Sequence, residues 1–177
     1  QTIMLAMLFT TLTMIQPIYD QIYNRPDSFP FWFGTVALFS GASSLLNAFI
    51  VTRFGMHKVI TWSITIQVAI GAIILTTMST IPSDGFYLFV FWQFCLFAQA
   101  GLTIGNLNAI AMEPMGHIAG MAASVIGAIS TIGAALIASP TSLLMTDTPR
   151  PLIAIVLILG ICAVLLMRRM NQLKDAS

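Results

Sequence analysis

The side chains that could do chemistry in this chain are few, mostly uncharged, and spaced along predicted helices. Gln99, Thr103 and Asn106 follow one another at intervals of four and three residues, which places them on one face of a helix. Polar groups at membrane depth face a bundle interior or a water-filled cavity, because lipid cannot satisfy their hydrogen bonds. Two interpretations stay open: an interhelical hydrogen bond for each residue, or a cavity that they share with other helices.

Two other apolar stretches add polar or small residues to this set. Thr13, Gln16 and Asp20 have the same kind of spacing near the start of the chain, and Pro17 predicts a kink beside them. Small residues recur at three- and four-residue intervals further on, at Gly34, Ala37, Gly41, Ser44 and Ala48, with Asn47 beside them. Flexible methionines, Met14 among them, fit either ordinary apolar packing or a surface that accepts varied ligands.

Enzyme chemistry is not predicted. No G-x-S-x-G sequence is present, the carboxylates are scattered over predicted loops, and His57 and His117 lie in loops as well. Cys95 and Cys162 fall in separate apolar helices, so neither a disulfide nor a metal pair is indicated. The net charge of +1 gives no electrostatic basis for binding nucleic acid. We therefore expect no catalytic residue, no metal, no cofactor and no nucleic-acid partner.

Composition predicts an integral membrane protein. Hydrophobic residues make up 58% of the chain and charged residues 7%, with a mean hydropathy of +0.93, whereas soluble domains average about a quarter charged residues. Six apolar stretches are long enough to cross a bilayer as helices; they cover about 1–20, 29–51, 59–79, 86–112, 118–142 and 151–168. The prediction is an all-α membrane protein in which residues 1–177 form a single six-helix transmembrane bundle.

Basic residues predict the orientation of this bundle. One side carries Arg53, Lys58, Arg168, Arg169 and Lys174, and the other carries Arg25 and Arg150. Cytoplasmic segments are enriched in Lys and Arg, so both ends are expected on the cytoplasmic side of the inner (plasma) membrane. The chain starts with Gln1 inside an apolar run, which predicts that it is truncated at its N-terminus.

The fifth apolar stretch consists largely of small residues. They recur at every fourth position, at Ala119, Ala123, Gly127, Thr131, Ala135 and Ser139. Small residues let helix backbones approach closely inside lipid. We therefore expect this helix to pack tightly against a neighbour.

Two blocks of sequence resemble Bcr/CflA-type multidrug exporters of the major facilitator superfamily. The first block runs from Asn108 to Pro114 and continues through His117–Ser124 to Gly127, similar to the family's N-A-x-A and H-x-A-G-T-A-S-S pattern. The second block, with Arg53 and Gly55, is similar to the family's N-x-x-x-V-x-R-x-G link. The resemblance implies the C-terminal half, helices seven to twelve, of a twelve-helix transporter with an N-terminal six-helix half missing from this chain.

The resemblance also implies a function and roles for individual residues. Such transporters alternate access around a midplane site, so the implied activity is proton-coupled export of lipophilic drugs, with the proton-carrying carboxylate in the missing half. The implied cavity residues are Met14, Gln16, Gln99, Thr103 and Asn106. The implied cytoplasmic loop or gate residues are Arg53, Gly55 and Glu113. The helix-packing residues are Gly41, Ser44, Ala123 and Gly127, through which the fifth helix is implied to pack closely against the second. The alternatives are a stand-alone six-helix structural or assembly subunit, and an importer of a small metabolite.

Overall fold

The computed structural model describes residues 1–80 and 85–175, and all regular structure in them is helical. The α-helices are α1 (Thr2–Pro17), α2 (Phe29–Phe54), α3 (Met56–Thr80), α4 (Phe86–Met112), α5 (Ala119–Ala138) and α6 (Arg150–Asp175). Shorter helical segments connect them: a π-helix at Ile18–Ile22 and 3₁₀ segments at Pro26–Ser28, Glu113–Ile118 and Ser139–Leu144. Residues 81–84, in the predicted connection between the third and fourth stretches, lie outside the described residues.

The helices have the length and apolarity of membrane-spanning segments. Five helical segments of the described chain meet that requirement, and one of them, Phe86–Leu144, contains both α4 and α5 with their 3₁₀ connections. Long apolar helices without strands confirm the coarse prediction of a helical, membrane-embedded protein. The division of Phe86–Leu144 into two spans stays a prediction from the sequence.

Most of the packing is between helices that are distant in sequence. α1 contacts α5 and α6, α2 lies mainly against α4, and α3 lies between α4 and α6. The core contains methionines of α1 and aromatic residues of α4, including Met7 and Met14, each 1% exposed, and Phe89 and Trp92, both fully buried. α1 is thus an inner helix of the bundle.

Proline and glycine shape two of the connections. Pro17 ends α1, and the following π-helix places Tyr19 inside the core, where its ring meets those of Phe29 and Phe86 edge-on, each at 5.4 Å between centroids. Gly55 separates α2 from α3 with a φ of +80° and a ψ of 152°, a conformation that side chains with a Cβ rarely adopt. The chain therefore makes a tight turn at Gly55.

α2 and α5 are the helices with the most uncovered surface. Among the described residues of α2 only Val36 is buried, whereas Leu38 is 78% and Phe49 76% exposed. On α5, Leu136 is 72% exposed. Apolar side chains this exposed suit contact with lipid or with another apolar protein surface.

Candidate functional site

A polar cluster lies along the inner face of α4. Gln99 and Asn106 are each 5% exposed and Thr103 is fully buried. Gln99 Nε2 donates hydrogen bonds to Thr103 Oγ1 at 3.1 Å and to Met4 Sδ of α1 at 3.2 Å. The Thr103 hydroxyl donates to the backbone oxygen of Gln99 at 2.8 Å. The spacing of these residues in the sequence thus corresponds to one buried face that contacts α1.

Asn106 joins α4 to α2 through a reciprocal amide pair. Its Nδ2 donates to Asn47 Oδ1 at 2.9 Å, and Asn47 Nδ2 donates back to Asn106 Oδ1 at 3.1 Å. Asn106 Nδ2 also donates to the Leu102 carbonyl at 2.7 Å. Close by, Ser40 and Ser43 of α2 donate to the carbonyls of Phe97 and Ala98 at 2.8 and 3.1 Å. Hydrogen bonds between side chains and backbone therefore hold α2 to α4 along much of their length.

The structure separates the two α1 residues that the resemblance assigns to a cavity. Met14 is 1% exposed and belongs to the hydrophobic core, while Gln16 is exposed together with Thr13 and Asp20. Gln16 therefore lies on a different face of α1 from the methionines that meet α4. Lining of a substrate cavity by these residues stays a prediction.

Two buried glutamines were not predicted from the sequence. Gln93 of α4 is fully buried and accepts a hydrogen bond from the Tyr19 hydroxyl at 3.0 Å, while its Nε2 has no partner in the described part of the chain. Gln67 of α3 is 3% exposed, and neither its Nε2 nor its Oε1 has a partner there. A glutamine inside a long apolar helix was the available signal: Ser63 stands four residues before Gln67, and no polar residue stands three or four positions from Gln93.

The residues expected at the cytoplasmic loops lie at helix ends. Arg53 is exposed in the last turn of α2, and its guanidinium carbon is 5.5 Å from the centre of the Phe54 ring. Glu113 is exposed and opens the 3₁₀ segment that follows α4. Exposed positions at helix ends suit roles at the protein surface. A gating role for these residues stays a prediction.

The helix pairing expected from small residues is wrong in this structure. α5 packs on α1, not on α2, and its buried residues are Ala122, Ser130, Ala134 and Ala138. A Cβ added to Gly133 would lie 2.7 Å from Thr2 Cγ2, whereas a Cβ on Gly127 or Gly41 would meet nothing within 4 Å. Ser44 is exposed and Ala123 half-buried. The stripes that contain Gly41 and Gly127 therefore remain open.

The close contact of α2 is instead with α4, at Gly101. A Cβ there would lie 2.7 Å from Ser43 Oγ and 3.0 Å from the Ser40 carbonyl oxygen. The backbones of α2 and α4 approach this closely because position 101 carries no side chain.

Within residues 1–80 and 85–175, no group of three His, Cys, Asp or Glu side chains is placed to hold a metal ion. The buried polar side chains of the described residues are all uncharged: Thr10, Thr11, Gln67, Gln93, Gln99, Thr103, Asn106, Ser130 and Thr141. Fold and interior together define the chain as a helical membrane protein with a neutral polar core. No family model, curated protein or solved structure matches the chain.

Proposed function

We propose that this chain is one six-helix half of a secondary active transporter, which exports lipophilic drugs or related small molecules by alternating access and in exchange for protons. The observation that carries the proposal is the pair of open small-residue faces on α2 and α5, where Gly41 and Gly127 meet no neighbour within 4 Å. Small residues in membrane helices are typical of close helix contacts. Nothing else in the described bundle covers these two faces, so a second bundle is the natural partner.

The neutral interior supports a lipophilic, uncharged or weakly polar substrate. The polar groups of α4 present donors and acceptors without charge, and methionines of α1 lie beside them. Rocking of two bundles against each other would expose such groups to alternate sides of the membrane. In this proposal Gln99, Thr103 and Asn106 of α4 line the shared cavity with Met14 of α1, whereas Gln16 lies on another face of α1.

The proton-carrying group is assigned in this proposal to the second bundle. Buried side chains of the described residues include no carboxylate, and proton relays in membrane proteins commonly use buried Asp, Glu or His side chains. The proposal further places the protein in the inner (plasma) membrane, with both ends of this chain in the cytoplasm. The family resemblance and the excess of Lys and Arg at the ends of helices on that side support this orientation.

The test is drug accumulation in cells that express the full-length gene. A fluorescent, uncharged lipophilic dye should accumulate several-fold less in these cells than in cells with an empty vector, because export removes it. A protonophore should abolish the difference by collapsing the proton gradient.

The other possible outcomes contradict different parts of the proposal. Accumulation above the empty-vector level would indicate an importer, and accumulation equal to it for all tested compounds would indicate a structural subunit. Reduced accumulation that persists with the protonophore would exclude proton coupling.

A further inference from the structure

A groove of about 200 Å³ lies between α3 and α4 on the outer surface of the bundle. Ile66, Gln67 and Ile70 line it from α3, and Phe94, Ala98 and Leu102 line it from α4. Ile66 is 59% exposed, so the groove opens outward at that residue. Because mostly apolar side chains line the groove, we expect this opening to face the hydrocarbon region of a membrane.

Gln67 gives this apolar groove an unsatisfied polar group. The side chain is 3% exposed, and both its Nε2 and its Oε1 lack a partner among the described residues. Gln99, which lines the same groove, donates through its Nε2 to Thr103 and Met4. Lipid tails offer no hydrogen bonds, so an unpaired amide in this position is costly. A ligand that both donates and accepts a hydrogen bond would remove that cost.

Charge and size restrict the ligand further. All side chains that line the groove are uncharged, so a charged ligand would lose its hydration without gaining a partner. Pockets for drug-sized molecules measure about 300–1,000 Å³, and this groove is smaller. The fitting ligand is therefore a small neutral molecule.

We propose that the groove binds a small, neutral, lipophilic molecule with a carboxamide-like group, which reaches it from the membrane. The carboxamide pairs with both atoms of the Gln67 amide, and the hydrocarbon part lies against Ile66, Ile70 and Phe94. This site shares Gln99 with the transport cavity proposed above, but the two proposals fail separately, because occupancy of the groove is measured by binding alone.

Cys95 allows that binding to be measured directly. Its half-buried side chain belongs to the groove wall, so a bound ligand should shield the thiol. In the full-length protein, Cys162 and any further cysteine are replaced by Ser, and the protein is reconstituted into phosphatidylcholine vesicles. The rate of Cys95 alkylation by N-ethylmaleimide is then measured with hexanamide and with heptane, a hydrocarbon of similar size without polar atoms. Hexanamide is expected to slow alkylation several-fold and heptane to have little effect.

Gln67→Met is the matched variant, because methionine has nearly the length and volume of glutamine without the amide. In this variant hexanamide should protect Cys95 no better than heptane does. Thermal unfolding should be unchanged or shifted upward, since the variant removes an unpaired buried amide.

Three results would overturn the proposal. Equal protection of the parent protein by heptane and hexanamide would assign the groove to lipid tails. No protection by either compound would show that the groove does not bind such molecules. Full protection by hexanamide in Gln67→Met would show that binding does not involve the Gln67 amide.

Discussion

At the scale of single residues, the interior of this protein depends on uncharged amides and hydroxyls that link helices. The sequence placed Gln99, Thr103 and Asn106 on one face because helical spacing alone decides that. It did not identify Met4 as the partner of Gln99, or predict that Gln67 would be left unpaired. Those outcomes depend on which helices become neighbours, and local spacing carries no such information.

The amide pair between Asn47 and Asn106 allows a test of one interhelical link. Asn106→Leu should lower the free energy of unfolding by about 1–2 kcal/mol, because Asn47 loses its partner in a site that offers no replacement. Asn47→Leu combined with Asn106→Leu should recover part of that loss, since no unpaired amide remains. Chemical unfolding in detergent, followed by circular dichroism, measures both effects.

Asn108 provides a control for this test. Asn108→Leu replaces a half-buried asparagine two positions further along α4 and should cost less than Asn106→Leu. If the double variant loses as much stability as the sum of the two single variants, the two residues do not form a coupled pair.

At the scale of helices, the small-residue pattern of α5 predicted close packing but not the correct face. Small residues recur every fourth position from Ala119 to Ser139, and a second series from Ala122 to Ala138 is also small except at Ile126. Only the second of these faces is buried, against α1. The sequence could not choose between them, because both satisfy the same requirement for small size.

The conformation of the connection after α1 was also only partly predictable from the sequence. Pro17 predicted a kink, and the structure continues past it as a π-helix, in which the Tyr23 backbone N–H donates to the Ile18 carbonyl at 3.1 Å. The wide turn places Tyr19 inward and leaves Asp20 exposed. The edge-on ring contacts of Tyr19 with Phe29 and Phe86 stabilise its inward position.

Gly101 and Gly105 of α4 form a matched pair for testing helix contact. Gly101→Ala should lower the free energy of unfolding by about 1–3 kcal/mol, because the new methyl group would overlap Ser43 and the Ser40 carbonyl. Gly105→Ala should be neutral or slightly stabilising, because a Cβ there meets nothing within 4 Å and alanine favours helix. Equal unfolding temperatures for the two variants in detergent would contradict the close approach of α2 to α4.

At the scale of the whole molecule, the limits of individual apolar stretches were readable from the sequence, and their arrangement was not. The stretch 86–112 coincides with α4 and the stretch 29–51 lies within α2, since bilayer-length apolar runs form helices whatever their neighbours are. The pairing of α1 with α5 and of α2 with α4 depends on shape complementarity between distant segments. Composition and periodicity do not predict which distant helices fit together.

The open face of α5 leads to a prediction about assembly. Gly127→Leu should leave the unfolding temperature of this bundle unchanged, because a side chain at that position meets no neighbour within the chain. In the proposed full-length transporter the same variant should reduce drug export to the background level, since the leucine would separate α5 from the proposed second bundle. Unfolding of the bundle in detergent and drug accumulation in cells measure the two effects separately.

Gly133→Leu is the matched control for this prediction. The added side chain would collide with Thr2 of α1, so this variant should destabilise the bundle itself. Normal export by Gly127→Leu would contradict the assignment of the open face to a second bundle.

The pairing of helices that are distant in sequence has a consequence for how the protein is made. The consecutive pairs α2–α3 and α4–α5 share little contact, although α3 packs on α4, while α1 depends on α5 and α6. A ribosome releases the chain from its N-terminus, so α1 enters the membrane well before its main partners exist. During that interval the methionine face of α1 must be covered by lipid or by the insertion machinery. The bundle therefore closes only after α6 has been synthesised.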